Sequence, residues 1–243
     1  MLILKILLWT VEGFFALLFA YILLIIISAA VVNMKKEYDT NSRYYRFLLN
    51  SSTGIATKLI RIRLHVSGME KLPEGSRFLM VSNHRSKFDP ILCWYIFRKY
   101  DLSFISKPEN FKVPIFGRLI HRLCFMPIDR ENPRNALKTI VRAVDLINND
   151  TVNVAVYPEG TRNYGEKLLP FHNAVFKIAQ KANVPIVVIT VKGADMIHKN
   201  YPLRRSDVYV DVVSVLDAPT VKGTKTAELG DQIADIMNGS LNS

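Results

Sequence analysis

The sequence predicts an α/β fold: a largely parallel central sheet flanked by helices, with an N-terminal helical segment embedded in a membrane. Three observations predict it. The stretch GFFALLFAYILLIIISAAVV, Gly13 to Val32, carries no charge, and about 20 apolar residues in a helix match the roughly 30 Å hydrocarbon core of a bilayer. Beyond about residue 75, short apolar runs alternate with helical stretches, as in parallel strands joined by crossover helices. The chain of 243 residues is 49% hydrophobic, with a slightly positive mean hydropathy, which suggests contact with lipid.

The elements follow in order. Residues 1–34 form the anchor; the uncharged run is longer than the apolar core of a cleavable signal peptide, although Ser28, Ala29 and Ala30 faintly resemble a cleavage site. Lys35, Lys36, Arg43 and Arg46 follow the run, which places the rest of the chain on the cytoplasmic face. Residues 35–70 mix Tyr44, Tyr45 and Phe47 with Arg46, Lys58, Arg61 and Arg63. That composition suits a basic amphipathic segment on an anionic membrane surface, or a packed connecting helix with one solvated face. Residues 71–243 form the main domain. RFLMVSN, LSFISK, FMPID, VNVAVYP, PIVVITVKG and DVYVDVVSV read as strands. PILCWYIFRKY, PRNALKTIVRAVDLINND, NAVFKIAQKAN and TKTAELGDQIADIMNG read as helices, the second capped by Asn132 ahead of Pro133.

The formal net charge of +11 calls for an anionic partner. The aromatics cluster with aliphatics and no nucleic-acid-binding module is recognisable, which argues against nucleic acid. Cys93 and Cys124 make no disulfide framework, and His65, His84, His121, His172 and His198 show no metal-ligand spacing, so no metal site is expected.

In an open α/β sheet, ligands gather beyond the carboxyl ends of strands. Four polar clusters fall there: SNHRSKFDP, SKPEN, IDRENPR and YPEGTRN. On a regular helix His84 and Asp89 would point about 140° apart, so they meet only if RSKF turns; Pro90 fits such a break. Met, they would make a base and its orienting carboxylate; unmet, Asp89 is an ordinary helix cap. Gly160 permits close backbone approach and Arg162 can grip a phosphate, or Arg162 pairs with Glu159 on the surface. Arg130 likewise holds phosphate or pairs with Asp129 or Glu131, and Lys107 is a ligand or a solvated lysine.

NHRSKFD, PIDR, PEGTR and VPIVVIT, in this order, resemble the four sequence blocks of the glycerolipid acyltransferases, and within them most the bacterial lysophosphatidic acid acyltransferases. The resemblance runs from about residue 75 to about 195 and includes ISKPENFKVPIFGRLIHRL. It implies that His84 is the general base on the acceptor hydroxyl and that Asp89 orients it. Arg130 and Arg162 would bind the acceptor phosphate, with Lys107 as an additional contact, while Glu159, Gly160 and Thr161 shape the acceptor site. No cofactor is implied; acyl-CoA or acyl carrier protein is the co-substrate. The implied reaction moves a fatty acyl group to the sn-2 hydroxyl of lysophosphatidic acid, giving phosphatidic acid. One departure stands out: after the third block the family commonly has F-K-x-G, whereas this chain reads Phe171, His172, Asn173, Ala174. That leaves room for another lysophospholipid or lipid acceptor. A protein that only binds anionic lipid is the alternative from a different class.

Overall fold

A computed structural model of the chain describes residues 1–129, 132–165 and 167–242. Helices α1 (Leu2–Ala30) and α2 (Arg43–Leu59) come first, then strand β1 (Ile62–Ser67). The alternation expected beyond them is present: β2 (Leu79–Ser82), α3 (Asp89–Ile96), β3 (Leu102–Ser106), α4 (Phe116–Arg122), β4 (Met126–Pro127), α5 (Pro133–Asn148), β5 (Asn153–Val156), α6 (Lys177–Ala182), β6 (Ile186–Lys192), α7 (Ile197–Asn200), β7 (Ser206–Leu216), α8 (Ala218–Gly223) and α9 (Thr226–Asn242).

One seven-stranded sheet runs in the order β1-β7-β6-β2-β5-β3-β4. Its pairs are parallel except β6 with β7. Alternating side chains divide two cores. Leu79 and Val81 point into a layer with α5, α6, α8 and α9, while Phe78 and Met80 point into one with α2, α3, α4 and α7. Helix α5 shows how sequence makes an element: Asn132 accepts from Arg134 N and Asn135 N, Pro133 opens the helix, and Thr139, Ile140, Ala143, Val144, Leu146 and Ile147 form its buried stripe. Such a cap is worth about 1 kcal/mol.

The structure moves one boundary. Residues 62–67, read from sequence within a membrane-surface segment of 35–70, form β1 and pair in parallel with β7 from Ile62↔Ser206 to Ser67↔Asp211. Helix α2 divides its two faces between both sequence readings. Leu48, Leu49 and Thr53 are buried against the domain, whereas Tyr44, Phe47, Ile55 and Leu59 are exposed. The segment expected as one helix from Asn173 opens with a tight turn, Asn173–Phe176, before α6.

Helix α1 is long and apolar enough to cross a membrane, and of its residues only Ser28 and Ala29 are buried. It meets the domain through polar contacts: Tyr21 Oη to Ser51 Oγ and Ser28 Oγ to Tyr44 Oη, both 2.6 Å. Tyr45 Oη also donates to Ser28 O, at 2.9 Å.

Candidate active site

Beyond β2 the chain is held before it turns. The side chain of Asn83, fully buried, accepts from Val191 N at 2.8 Å and donates to Val191 O at 3.0 Å. It thus pairs with β6 as a peptide group would, one step past the last strand pair, Ser82↔Ile189. The next residue is His84. The RSKF segment turns: Arg85 N and Ser86 N both donate to Asp89 Oδ2 at 2.7 Å, and Asp89 N donates to Ser86 O. The same Oδ2 lies 2.9 Å from His84 Nδ1. Asp89 therefore both secures the start of α3 and orients the imidazole. Because the carboxylate accepts the Nδ1 proton, Nε2 is left as the basic nitrogen. Asp89 is fully buried, and its Oδ1 has no hydrogen-bond partner.

The imidazole is also fixed by its face. Tyr157, at the end of β5, stacks on it with centroids 4.4 Å apart and planes at 27°. Phe104 of β3 lies behind Tyr157, its ring nearly parallel at 6.1 Å. The Tyr157 hydroxyl is buried beside the Cys93 thiol. Burial, reinforced by Cys93 and Asp89, pushes its pKa well above the ordinary value. Burial likewise pushes the Cys93 thiol up to about 12, with Asp89 acting in the same direction. Both groups are neutral at physiological pH.

The loop after β5 locks onto the same turn. Glu159 accepts His84 N at 2.8 Å on Oε1, and on Oε2 it accepts Asn163 Nδ2 at 2.8 Å and Leu169 N at 3.0 Å. Asn163 N in turn donates to His84 O at 2.7 Å. Glu159 is 3% exposed, so it is not the surface partner of Arg162, and its carboxylate is occupied by the protein itself. It shapes the site by clamping two loops together. Gly160 follows with φ +70°, a conformation glycine takes without a Cβ clash.

A cavity of about 300 Å³ opens over His84. Lys87, Lys107, Asn110, Gly160 and Arg162 line its polar part, and Ile91, Phe104, Ile105, Phe116, Ile120 and Phe125 its apolar part. The ion pairs among the described residues engage none of Lys87, Lys107 and Arg162, which line the cavity as cations. Three of the four polar strand exits, after β2, β3 and β5, converge here. Thr161 is exposed and stands outside the lining; Arg130, the candidate after β4, lies outside the described residues. The arrangement offers a positioned base, cations for an anionic group, and an apolar recess within one cavity.

The sequence model of the family described as Acyltransferase matches residues 63–192. The chain belongs to this acyltransferase family. It is an acyltransferase, and the matched span contains His84, Asp89 and the whole 159–162 loop. Among its relatives, a 1-acyl-sn-glycerol-3-phosphate acyltransferase of Haemophilus influenzae is 28% identical over 187 residues, covering 74% of this chain and 76% of that protein. A chloroplastic 1-acyl-sn-glycerol-3-phosphate acyltransferase of Brassica napus is 30% identical over 180 residues, covering 73% of this chain and 50% of that longer protein. The crystal structure of the 1-acyl-sn-glycerophosphate acyltransferase of Thermotoga maritima superposes with a TM-score of 0.68 over 90% of this chain and 86% of that one, at 21% identity. That likeness shows the fold.

Sequence reasoning about this acyltransferase missed Asn83, Tyr157 and Lys87. Asn83 opens the block NHRSKFD, Lys87 lies inside it and Tyr157 directly precedes PEGTR, so their places were visible in the sequence although their contacts were not. The orientation of the Tyr157 ring had no signal there.

Proposed function

We propose that this acyltransferase transfers a fatty acyl group from a thioester donor, acyl-CoA or acyl carrier protein, to the sn-2 hydroxyl of lysophosphatidic acid, forming phosphatidic acid. The observation that carries this reading is His84, oriented by Asp89 at 2.9 Å, in a cavity with cations on one side and an apolar wall on the other. The names of the relatives supply the acceptor.

In this reading Nε2 of His84 takes the proton of the acceptor hydroxyl as its oxygen attacks the thioester carbonyl. The C–O bond forms, the C–S bond breaks, and the proton passes from the imidazolium to the departing thiolate. Asp89 keeps the tautomer and stabilises the imidazolium. Arg162 and Lys107 hold the phosphate, with Arg130 as the further contact that the family resemblance implies, and the acyl chain lies along Phe104, Phe116, Ile120 and Phe125. Anchoring by α1, with the domain on the cytoplasmic side of an anionic membrane, brings the cleft to substrates that reside in the bilayer.

Acyl transfer to lysophosphatidic acid by the purified protein, compared across acceptors, tests the reading. Wild type is expected to prefer the phosphomonoester; Arg162→Ala raises the acceptor KM about tenfold or more, and His84→Ala abolishes turnover. Equal or better rates on acceptors lacking that group reassign the substrate.

A further inference from the structure

An open, shallow hollow, sharing no lining residue with the catalytic cavity, lies where α2 meets α3. It measures about 440 Å³ and is bounded by Arg43, Arg46, Asn50, Tyr95, Arg98 and Asp101, with Phe47 at the rim. Arg46 is 5% exposed. Its Nε pairs with Asp101 at 3.1 Å, its Nη1 donates to Leu102 O at 3.1 Å, and its guanidinium lies 4.9 Å from the Trp94 ring. Its Nη2 and the neighbouring Asn50 Oδ1, both buried, have no hydrogen-bond partner among the described residues. Burial draws the Arg46 pKa down to about 10, the Asp101 charge only partly opposing it. Beneath the hollow thus lies a buried cation, its Nε also donating to Asn41 Oδ1, with one donor and one neighbouring acceptor unused among the described residues.

Two more guanidiniums stand over it. Arg43 is exposed and in no ion pair among the described residues. Arg98 is exposed too, with its guanidinium 5.0 Å from the Tyr95 ring and one Nη1 bond to Tyr95 O. Three arginines against the one carboxylate of Asp101 leave a local excess of positive charge, and planar guanidiniums suit the paired oxygens of a phosphate. The surroundings decide what carries that phosphate. Phe47, Tyr44, Ile55 and Leu59 are exposed on the same helix, and α1, attached through Tyr21 to Ser51, is apolar and almost wholly exposed.

We infer that this hollow binds the phosphodiester headgroup of a bilayer phospholipid, with Arg43 and Arg98 on the phosphate, Phe47 against the acyl region, and the buried Arg46–Asn50 pair beneath the headgroup. The inference rests on α1 being embedded in the bilayer. It gives the docking of α2 a defined lipid site, distinct from general attraction to a charged surface.

The test is the thermal shift of the detergent-solubilised full chain titrated with short-chain phosphatidylglycerol, inorganic phosphate or short-chain diacylglycerol. Wild type is expected to show a saturable rise with the phospholipid alone. Arg43→Ala/Arg98→Ala is expected to lose tenfold or more in apparent affinity while keeping acyl transfer in mixed micelles. Lys181→Ala/Lys222→Ala, of equal charge change on the opposite face of the sheet, and Arg162→Ala, in the catalytic cavity, are expected to keep the wild-type response. Equal losses in the opposite-face pair, no loss in the arginine pair, or loss only in Arg162→Ala overturns the site. A matching shift with inorganic phosphate overturns the lipid assignment. Alkaline carbonate extraction of wild type from membranes checks the embedding of α1 separately.

Discussion

Asp89 Oδ2 collects three donors, the His84 ring and the backbone N–H groups of Arg85 and Ser86. Asp89→Asn keeps the size but removes the charge that steadies an imidazolium. Turnover is expected to fall roughly 10²–10⁴-fold with little change in acceptor KM, read from steady-state kinetics. Tyr157 separates ring from hydroxyl: Tyr157→Phe is expected to retain most of the turnover, because the face against His84 persists, whereas Tyr157→Leu loses ten-fold or more in kcat. Asn83→Ala leaves Val191 N and Val191 O buried and unpaired, at a cost of about 2–4 kcal/mol, measurable by denaturant unfolding. The Cys93 thiol, pushed up to about 12 by burial, is protonated at neutral pH. Alkylation by iodoacetamide near neutral pH is therefore expected only after unfolding. At this scale the sequence was readable for the contact of His84 with Asp89, which needs only that RSKF turn. It was not readable for Asn83 or Tyr157, whose roles depend on which strand the fold lays beside them.

The segment before α4 stores strain beside the catalytic cavity. Ile115 has φ +63° and ψ −64°, and Phe116 N donates to Pro114 O at 2.6 Å, a three-residue turn of the rare strained hand. A β-branched residue there is unfavourable. Two residues on, a Cβ at Gly117 would lie 2.3 Å from Phe111 O, so α4 is pressed close against the preceding turn. Ile115→Gly is expected to raise stability by about 1 kcal/mol, a melting rise of roughly 2–4 °C, while loosening the wall that Phe116 and Ile120 present to the cavity. The elements with long periodic stripes, α5 above all, were legible from sequence. β1 carries a strand signal, Ile62, Leu64 and Val66 alternating with Arg63, His65 and Ser67, but the run is short and the basic composition of the surrounding segment masked it; pairing with β7 makes it an edge strand.

Across the whole molecule, the site is a consequence of strand order. β2, β5 and β3 are consecutive neighbours in the sheet, so loops far apart in sequence open onto one cavity. The alternation of strands and helices announced the sheet, but a linear pattern does not state which strands are adjacent; that adjacency turns separate motifs into a site. The cavity and the arginine hollow both border the one layer of α2, α3 and α4, to which α1 is also fastened. Helix α1 is fastened at two heights, through Tyr21 to Ser51 and through Ser28 to Tyr44, with Arg118 donating to Val32 O just past its end. Such a fastening makes it a strut, not a tether. A tether lets its cargo drift above the surface; a strut sets a standing height and a tilt. Lipids that thicken or thin the membrane would then lift or lower the mouth of the catalytic cavity by a matching amount, and the bilayer itself becomes a gauge of how easily a substrate reaches His84.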